Sequence, residues 1–140
     1  MPTCSNHAWN NFVMRSSAAS YGAGSSKRAA AIANIFMGAA NNGGLNSFLT
    51  SSYDLDSSEV VGALTDLGAS KAAHQLEIVL QGLGAPLPVS TQDERWNFLE
   101  EQWHDDLDEL DVLTEEADSE LMAVLERHVA ANEDFYRQLD

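Results

Sequence analysis

Apolar side chains return every three to four residues along most of this 140-residue chain, and no run of β-branched residues alternates with polar ones between turns. A period near 3.6 gathers residues on one face of a helix, whereas a period of two would gather them on one face of a strand. The chain is therefore expected to be all-α, a single compact domain of about six or seven helices with strand content near zero. His7 to Met14 offers Trp9, Phe12 and Val13 as one such face, and Ile32, Ile35, Phe36 and Ala39 offer a second. Val60, Ala63, Leu64 and Leu67 form a third, and Ala73, Leu76, Val79, Leu80 and Leu83 a fourth.

Caps and breakers set the limits of these helices. Ser25 or Ser26 is placed to cap the second, which the Asn41-Asn42-Gly43-Gly44 sequence should end, ahead of a short apolar piece from Leu45 to Leu49. Asp56-Ser57-Ser58-Glu59 has the spacing of a capping box, in which Glu59 would reach back to the cap N–H. Gly68 stands where a left-handed C-terminal residue is expected. Ser70 is read as the next cap, and Gly82, Gly84, Pro86 and Pro88 as the stop after it. From Thr91 the pattern resumes with Trp96, Leu99 and Trp103 inward, continuing through Leu107, Leu110, Val112 and Leu113 with a bend near His104 to Asp106 or near Thr114. A final long helix should carry Leu121, Val124, Leu125, His128, Val129, Phe135, Tyr136 and Leu139 to the end of the chain.

The length fits one domain with one sizeable core. Three Trp and a hydrophobic fraction of 44% argue against global disorder. Residues 1–25 divide into the first helix and a Ser/Ala/Gly stretch, Ser16 to Ser26, expected to be a linker or mobile loop; residues 26–140 form the helical domain. The single cysteine, Cys4, excludes an intrachain disulfide and suits a reducing compartment. Lys27-Arg28 ahead of Ala29 to Ala40 imitates a secretory signal, but lies too deep in the chain and is interrupted by Asn34. No run approaches the length of a membrane span, so a cytoplasmic location is expected.

Charge is distributed very unevenly. Of 22 acidic residues, 17 lie from Asp93 onward, against three bases, Arg95, Arg127 and Arg137. Nearly all of the net charge of −15 is thus in the last third of the chain. Such a surface repels nucleic acid and anionic membrane and attracts a basic protein. The expected partner-binding face comprises Glu100, Glu101, Asp105, Asp106, Asp108, Glu109, Asp111, Glu115, Glu116, Asp118 and Glu120.

Ile32 to Leu83 resembles a family of small acidic all-helical bacterial proteins typified by a DNA mimic protein and otherwise classed as a domain of unknown function. The similarity lies in an apolar helix running into Asn42-Gly43-Gly44, a turn with Phe48 ending at Ser51-Ser52, Glu59 to Leu64, Leu67-Gly68-Ala69, and Lys71-Ala72-Ala73. Leu107 to Leu139 is similar too, through Leu110-Asp111 and Asn132 to Tyr136. The chain departs from the family pattern at Leu45, where an aromatic residue is usual, and at Thr50 and Asp54, where Asn and Gly are usual. Asn42, Gly43, Gly44, Phe48 and Gly68 are the structural motif that the resemblance implies. It also implies a homodimer whose acidic face occupies the DNA-binding surface of a transcription regulator.

B-form DNA carries one negative charge per ~1.7 Å of its axis. A helix approaches that density when carboxylates recur at i, i+3 and i+4, about 5–6 Å apart. Glu101, Asp105, Asp108 and Glu109 are read as one such ladder, with Glu115, Asp118 and Glu116, Glu120 extending it. The plain alternative is a face that only keeps the chain soluble. A second binding reading is an immunity or antitoxin role against a basic nuclease, which shares the electrostatics.

The enzyme alternative is a metal-dependent phosphohydrolase using Glu100, Glu101, Glu115, Glu116 and Asp118. It is disfavoured, because the chain has few bases to neutralise substrate phosphates. Glu101-Gln102-Trp103-His104 matches the Glu-x-x-His of di-iron bundles, but the second copy that such sites need is missing. No cofactor is called for. His7, His74 and His128 are expected to be helix or core-boundary residues. With no Lys or Arg between Arg28 and Lys71, the Gly pair suits phosphate poorly; Gly43 or Gly44 is expected to supply a positive φ that lets two helices pack closely.

Overall fold

A computed structural model describes residues 5–22, 24–84, 87 and 91–139. The readings at Cys4, Pro86 and Pro88 lie outside the described residues. Among the described residues every regular element is helical. They are α1 (Asn6–Arg15), a 3-10 turn (Ala18–Ser20), α2 (Ser26–Ser51), α3 (Ser57–Leu67), α4 (Ser70–Gly82), α5 (Gln92–Gln102), a second 3-10 turn (Asp105–Leu110), α6 (Glu115–Ala131) and α7 (Glu133–Arg137). The protein is all-α, as the periodicity requires. None of its described helices is long and apolar enough to cross a membrane.

α2 and α6 form the centre. α2 packs on α3, α5 and α6; α4 lies on α3 and α6; and α1 lies on α6 and α7. One core joins them, running from Ala8 and Phe12 in α1 through Phe36, Phe48, Leu64 and Leu76 to Leu121, Leu125 and Tyr136. The Ser16 to Ser26 stretch contributes to it. Ala18 is buried, and its carbonyl accepts from Arg28 Nη1 at 2.6 Å. The same guanidinium makes a two-point pair with Glu59, at 2.6 and 3.0 Å, so one arginine ties the 3-10 turn, α2 and α3 together.

That pair corrects the capping box. Asp56 does cap α3, accepting from Ser58 N at 2.9 Å, but Glu59 turns outward to Arg28 instead of back to the cap. A full guanidinium charge is a stronger partner than a neutral N–H, and the pair holds the Glu59 carboxyl below its usual range. Ser25 caps α2 through Arg28 N. Gly68 ends α3 in the left-handed conformation, φ 96°. Ser70 does not cap α4; it is the first helical residue.

The Asn-Gly sequence divides α2 in two, as the breaker predicts. It breaks it at Gly44, whose φ of 90° and ψ of 179° are non-helical, and the chain resumes as a second limb through Ser51. Gly44, not Gly43, has the positive φ. The break folds Phe48 onto Phe36, ring centroids 5.0 Å apart and nearly perpendicular, an edge-to-face pair worth about 0.5–1.5 kcal/mol beyond its buried area.

Several inward assignments need correction. Val13 and Ile35 are exposed, while Ala8, Asn11, Ala33 and Met37 take the buried positions. In α5 Leu99 is inward as expected, but its companion is Arg95, 1% exposed, and Trp96 is outside at 53%. Arg95 Nη1 and Nη2 donate to the carbonyls of Leu49 and Tyr53 at 2.6 and 3.1 Å. A helix C-terminus leaves carbonyls without intrahelical donors and carries partial negative charge, so a guanidinium fits there where an indole would not. Val112 is exposed. The long final helix is two: α6 stops at Ala131, and Asn132 (φ −125°, ψ 31°) turns the chain into α7. This turn buries Tyr136 and leaves Phe135 outside.

Candidate functional site

The acidic ladder expected across Glu101, Asp105, Asp108 and Glu109 is not a ladder on one helix. α5 ends at Gln102, and Trp103 and His104 are extended, at φ −74°, ψ 122° and φ −107°, ψ 153°. Asp105 to Leu110 then form a 3-10 turn, so bends occur both near His104 and before α6. The 3-10 turn is anchored by Leu107, its one buried residue, which rests on the α4 glycine Gly82; a Cβ there would lie 2.6 Å from Leu107 Cδ2. Glu115, Asp118 and Glu116, Glu120 do share one helix, α6, capped by Thr114 through Ala117 N. His104 lies outside any α-helix, so Glu101 and His104 do not share a helical face.

The eleven predicted acids divide into two groups. Five have partners within the fold. Asp111 takes Asn46 N on its Oδ1 at 2.8 Å and Leu45 N on its carbonyl at 2.7 Å. It thereby caps the second limb of α2 from 65 residues away. Glu120 takes Lys71 N at 2.9 Å and so serves the start of α4 that Ser70 leaves uncapped. Asp108 takes Trp103 Nε1 at 2.9 Å, and Asp118 takes Asn41 Nδ2 at 3.0 Å. Glu116 makes a loose exposed pair with Lys71, 3.5 Å. Asp111 and Glu120 place negative charge at helix N-termini, where the backbone dipole favours it. A third such cap was not foreseen: Glu133 takes Ser5 N at 2.7 Å at the head of α1, which lowers its pKa, with the Ser5 backbone bond the main cause.

The other six, Glu100, Glu101, Asp105, Asp106, Glu109 and Glu115, are exposed and make no hydrogen bond or ion pair with the described residues. Arg95, which precedes them in sequence, is buried and donates to the Leu49 and Tyr53 carbonyls. The six form the part of the acidic region that faces solvent. The motif residues Asn42 and Gly43 are exposed, whereas Gly44 and Phe48 are buried; their geometry serves the α2 break rather than a separate site.

The described residues hold no group of three or more His, Cys, Asp or Glu arranged for a metal ion. Glu100, Glu101, Glu115, Glu116 and Asp118 are therefore not gathered as the phosphohydrolase alternative requires. His7 Nε2 faces the Arg137 carbonyl at 3.2 Å, and His128 Nε2 meets Tyr136 Oη at 2.7 Å. Burial, reinforced by the Lys27 charge, lowers the His128 pKa; burial raises that of Tyr136.

Sequence reasoning missed a groove between α5 and the second limb of α2. Trp96 and Trp103 line it with Asn46, Thr50 and Glu100, above Leu99, in a hollow of about 390 Å³. The signal was present in the α5 sequence, where two stripes compete: Trp96 with Trp103, and Arg95 with Leu99. Local spacing favours the aromatic stripe. The need of α2 for a C-terminal donor decides for the other.

Searches of curated proteins and of solved structures gave no significant match. A family does match, over residues 25–138, all but α1, the first 3-10 turn and the chain ends, and it includes the broken α2, the α3–α4 pair and the acidic segment. The chain belongs to the DMP19-like protein family.

Proposed function

We propose that this protein is a non-enzymatic acidic binding protein that occupies the DNA-binding surface of a basic protein, acting as a DNA mimic toward a transcription regulator. The observation that carries this reading is the set of six exposed carboxylates without internal partners. Acids needed only for folding would be expected to resemble Asp111 and Glu120, each bonded to a helix N-terminus. Concentrating six unpartnered carboxylates over a helix end, a 3-10 turn and the start of α6 costs stability through the self-repulsion of like charge. A basic surface evolved to meet phosphates would relieve that repulsion. Membership of the DMP19-like family supports the same reading.

The test is a pull-down from the source cell's lysate at low and high salt. The baits are the native protein and a variant with all six acids changed to Asn or Gln. Asp108, Asp111 and Glu120 are left intact, because their loss would disturb the fold. A basic DNA-binding protein should be retained at low salt by the native bait alone, since exposed charges are screened beyond about 8 Å at physiological ionic strength. Duplex DNA should then compete with the protein for it. Capture of a nuclease would transfer the reading to an immunity-type inhibitor. Equal capture by both baits would reduce the acidic face to a solubility feature.

A further inference from the structure

We infer that the groove between Trp96 and Trp103 is an arginine receptor, taking one guanidinium side chain from the basic partner. The inference rests on the acidic-face reading above and specifies where on that face recognition occurs. Trp96 exposes about half of its surface, the most aromatic area that any described side chain turns outward. Glu100 lies one helical turn further along α5 and so on the same face. Trp103, at the end of that helix, is partly buried, and its indole N–H is bonded to Asp108 Oδ1 at 2.9 Å, which holds the ring in place before any partner arrives. Both indoles and Glu100 line one hollow with Asn46 and Thr50 of α2.

Charge complementarity selects the occupant. A second copy of this chain would bring a net charge of −15 to a face already negative. A cation is attracted to the indole faces and to the Glu100 carboxylate together. Guanidinium is preferred over ammonium, because it is planar, stacks on aromatic rings, is weakly hydrated and pairs with a carboxylate through two N–H groups. Tryptophan is the strongest of the aromatic partners for such a cation.

Octa-arginine and octa-lysine carry equal charge, and titrating each at low salt while recording the three indole N–H resonances separates stacking from simple attraction. Octa-arginine should shift Trp96 and Trp103 but not Trp9, and bind roughly fivefold more tightly than octa-lysine. Trp96→Leu, at a half-exposed position that leaves the core intact, should abolish that preference while retaining residual binding to both peptides. Unmoved Trp96 and Trp103 resonances, or a preference unchanged in Trp96→Leu, would overturn the inference and leave the acidic-face reading standing. Binding of neither peptide would overturn both.

Discussion

The layer of α2, α3 and α4 and the segment from Trp103 to Glu120 occupy neighbouring positions and are held by different forces. The first is built on apolar contact: Ile32, Phe36, Leu45, Phe48, Val60, Leu64, Leu76 and Val79 are all essentially buried. The second buries only Leu107, Leu113 and Ala117. Its attachment is polar, through Asp111 to the second limb of α2, Glu120 to α4, and Gln75, whose Nε2 reaches the Leu110 and Val112 carbonyls at 2.8 Å and whose Oε1 takes Thr114 N. An acidic segment can thus be well fixed with few apolar anchors if its carboxylates are spent on the N–H groups of neighbouring helices. The acids thus divide into those bonded within the fold and those facing solvent, and mutation can compare the two.

The largest effect should come where polar fixation enters the apolar layer. Arg95→Ala removes the donors to the Leu49 and Tyr53 carbonyls and should lower unfolding free energy by about 4 kcal/mol in urea denaturation. Arg95→Lys should not restore it, since one ammonium does not span two carbonyls as a planar fork does. Gly44→Ala follows. A Cβ there would lie 2.8 Å from the Asp111 carbonyl in a backbone region open mainly to glycine, and a cost of about 3 kcal/mol is expected from the same measurement.

The two groups of acids can be compared directly. Glu120→Ala should cost about 1 kcal/mol through the lost α4 cap. Glu101→Ala should stay within about 0.5 kcal/mol of the native protein and leave it no less stable, because a negative charge in the last turn of α5 opposes the helix dipole. Equal costs for the two would remove the distinction between structural and available acids.

The smallest effect concerns pH. His128 has a depressed pKa in the folded state, so between that value and the ordinary value near 6.5 the unfolded chain binds more protons. Its stabilising share is complete above about pH 6.5 and is lost as pH falls through the folded pKa. Urea midpoints measured from pH 7.5 down to 5 should decline in the native protein, and less so in His128→Gln.

Most of the helices were legible because their signals are local. Ser25 and Asp56 each cap the helix beside them, and Gly68 stops one through its own backbone. Two of the misreadings share a physical cause: a distant group claims the residue. Arg95 was drawn inward by carbonyls more than forty residues earlier, and Glu59 was diverted to Arg28. The acidic ladder failed because the chain leaves the helix at Trp103, whose indole bonds to Asp108 instead. No spacing rule contains the partners of Arg95 and Glu59.

The docking of α1 has a consequence for synthesis. Its Asn11 donates to the Tyr136 carbonyl across 125 residues, and Glu133 closes its head. The helix precedes in the chain the α6 and α7 surface that receives it. At about 5–20 residues per second, roughly 6–25 seconds of synthesis separate Asn11 from Tyr136, and for that time the Phe12 ring lacks the Tyr136 ring that covers it.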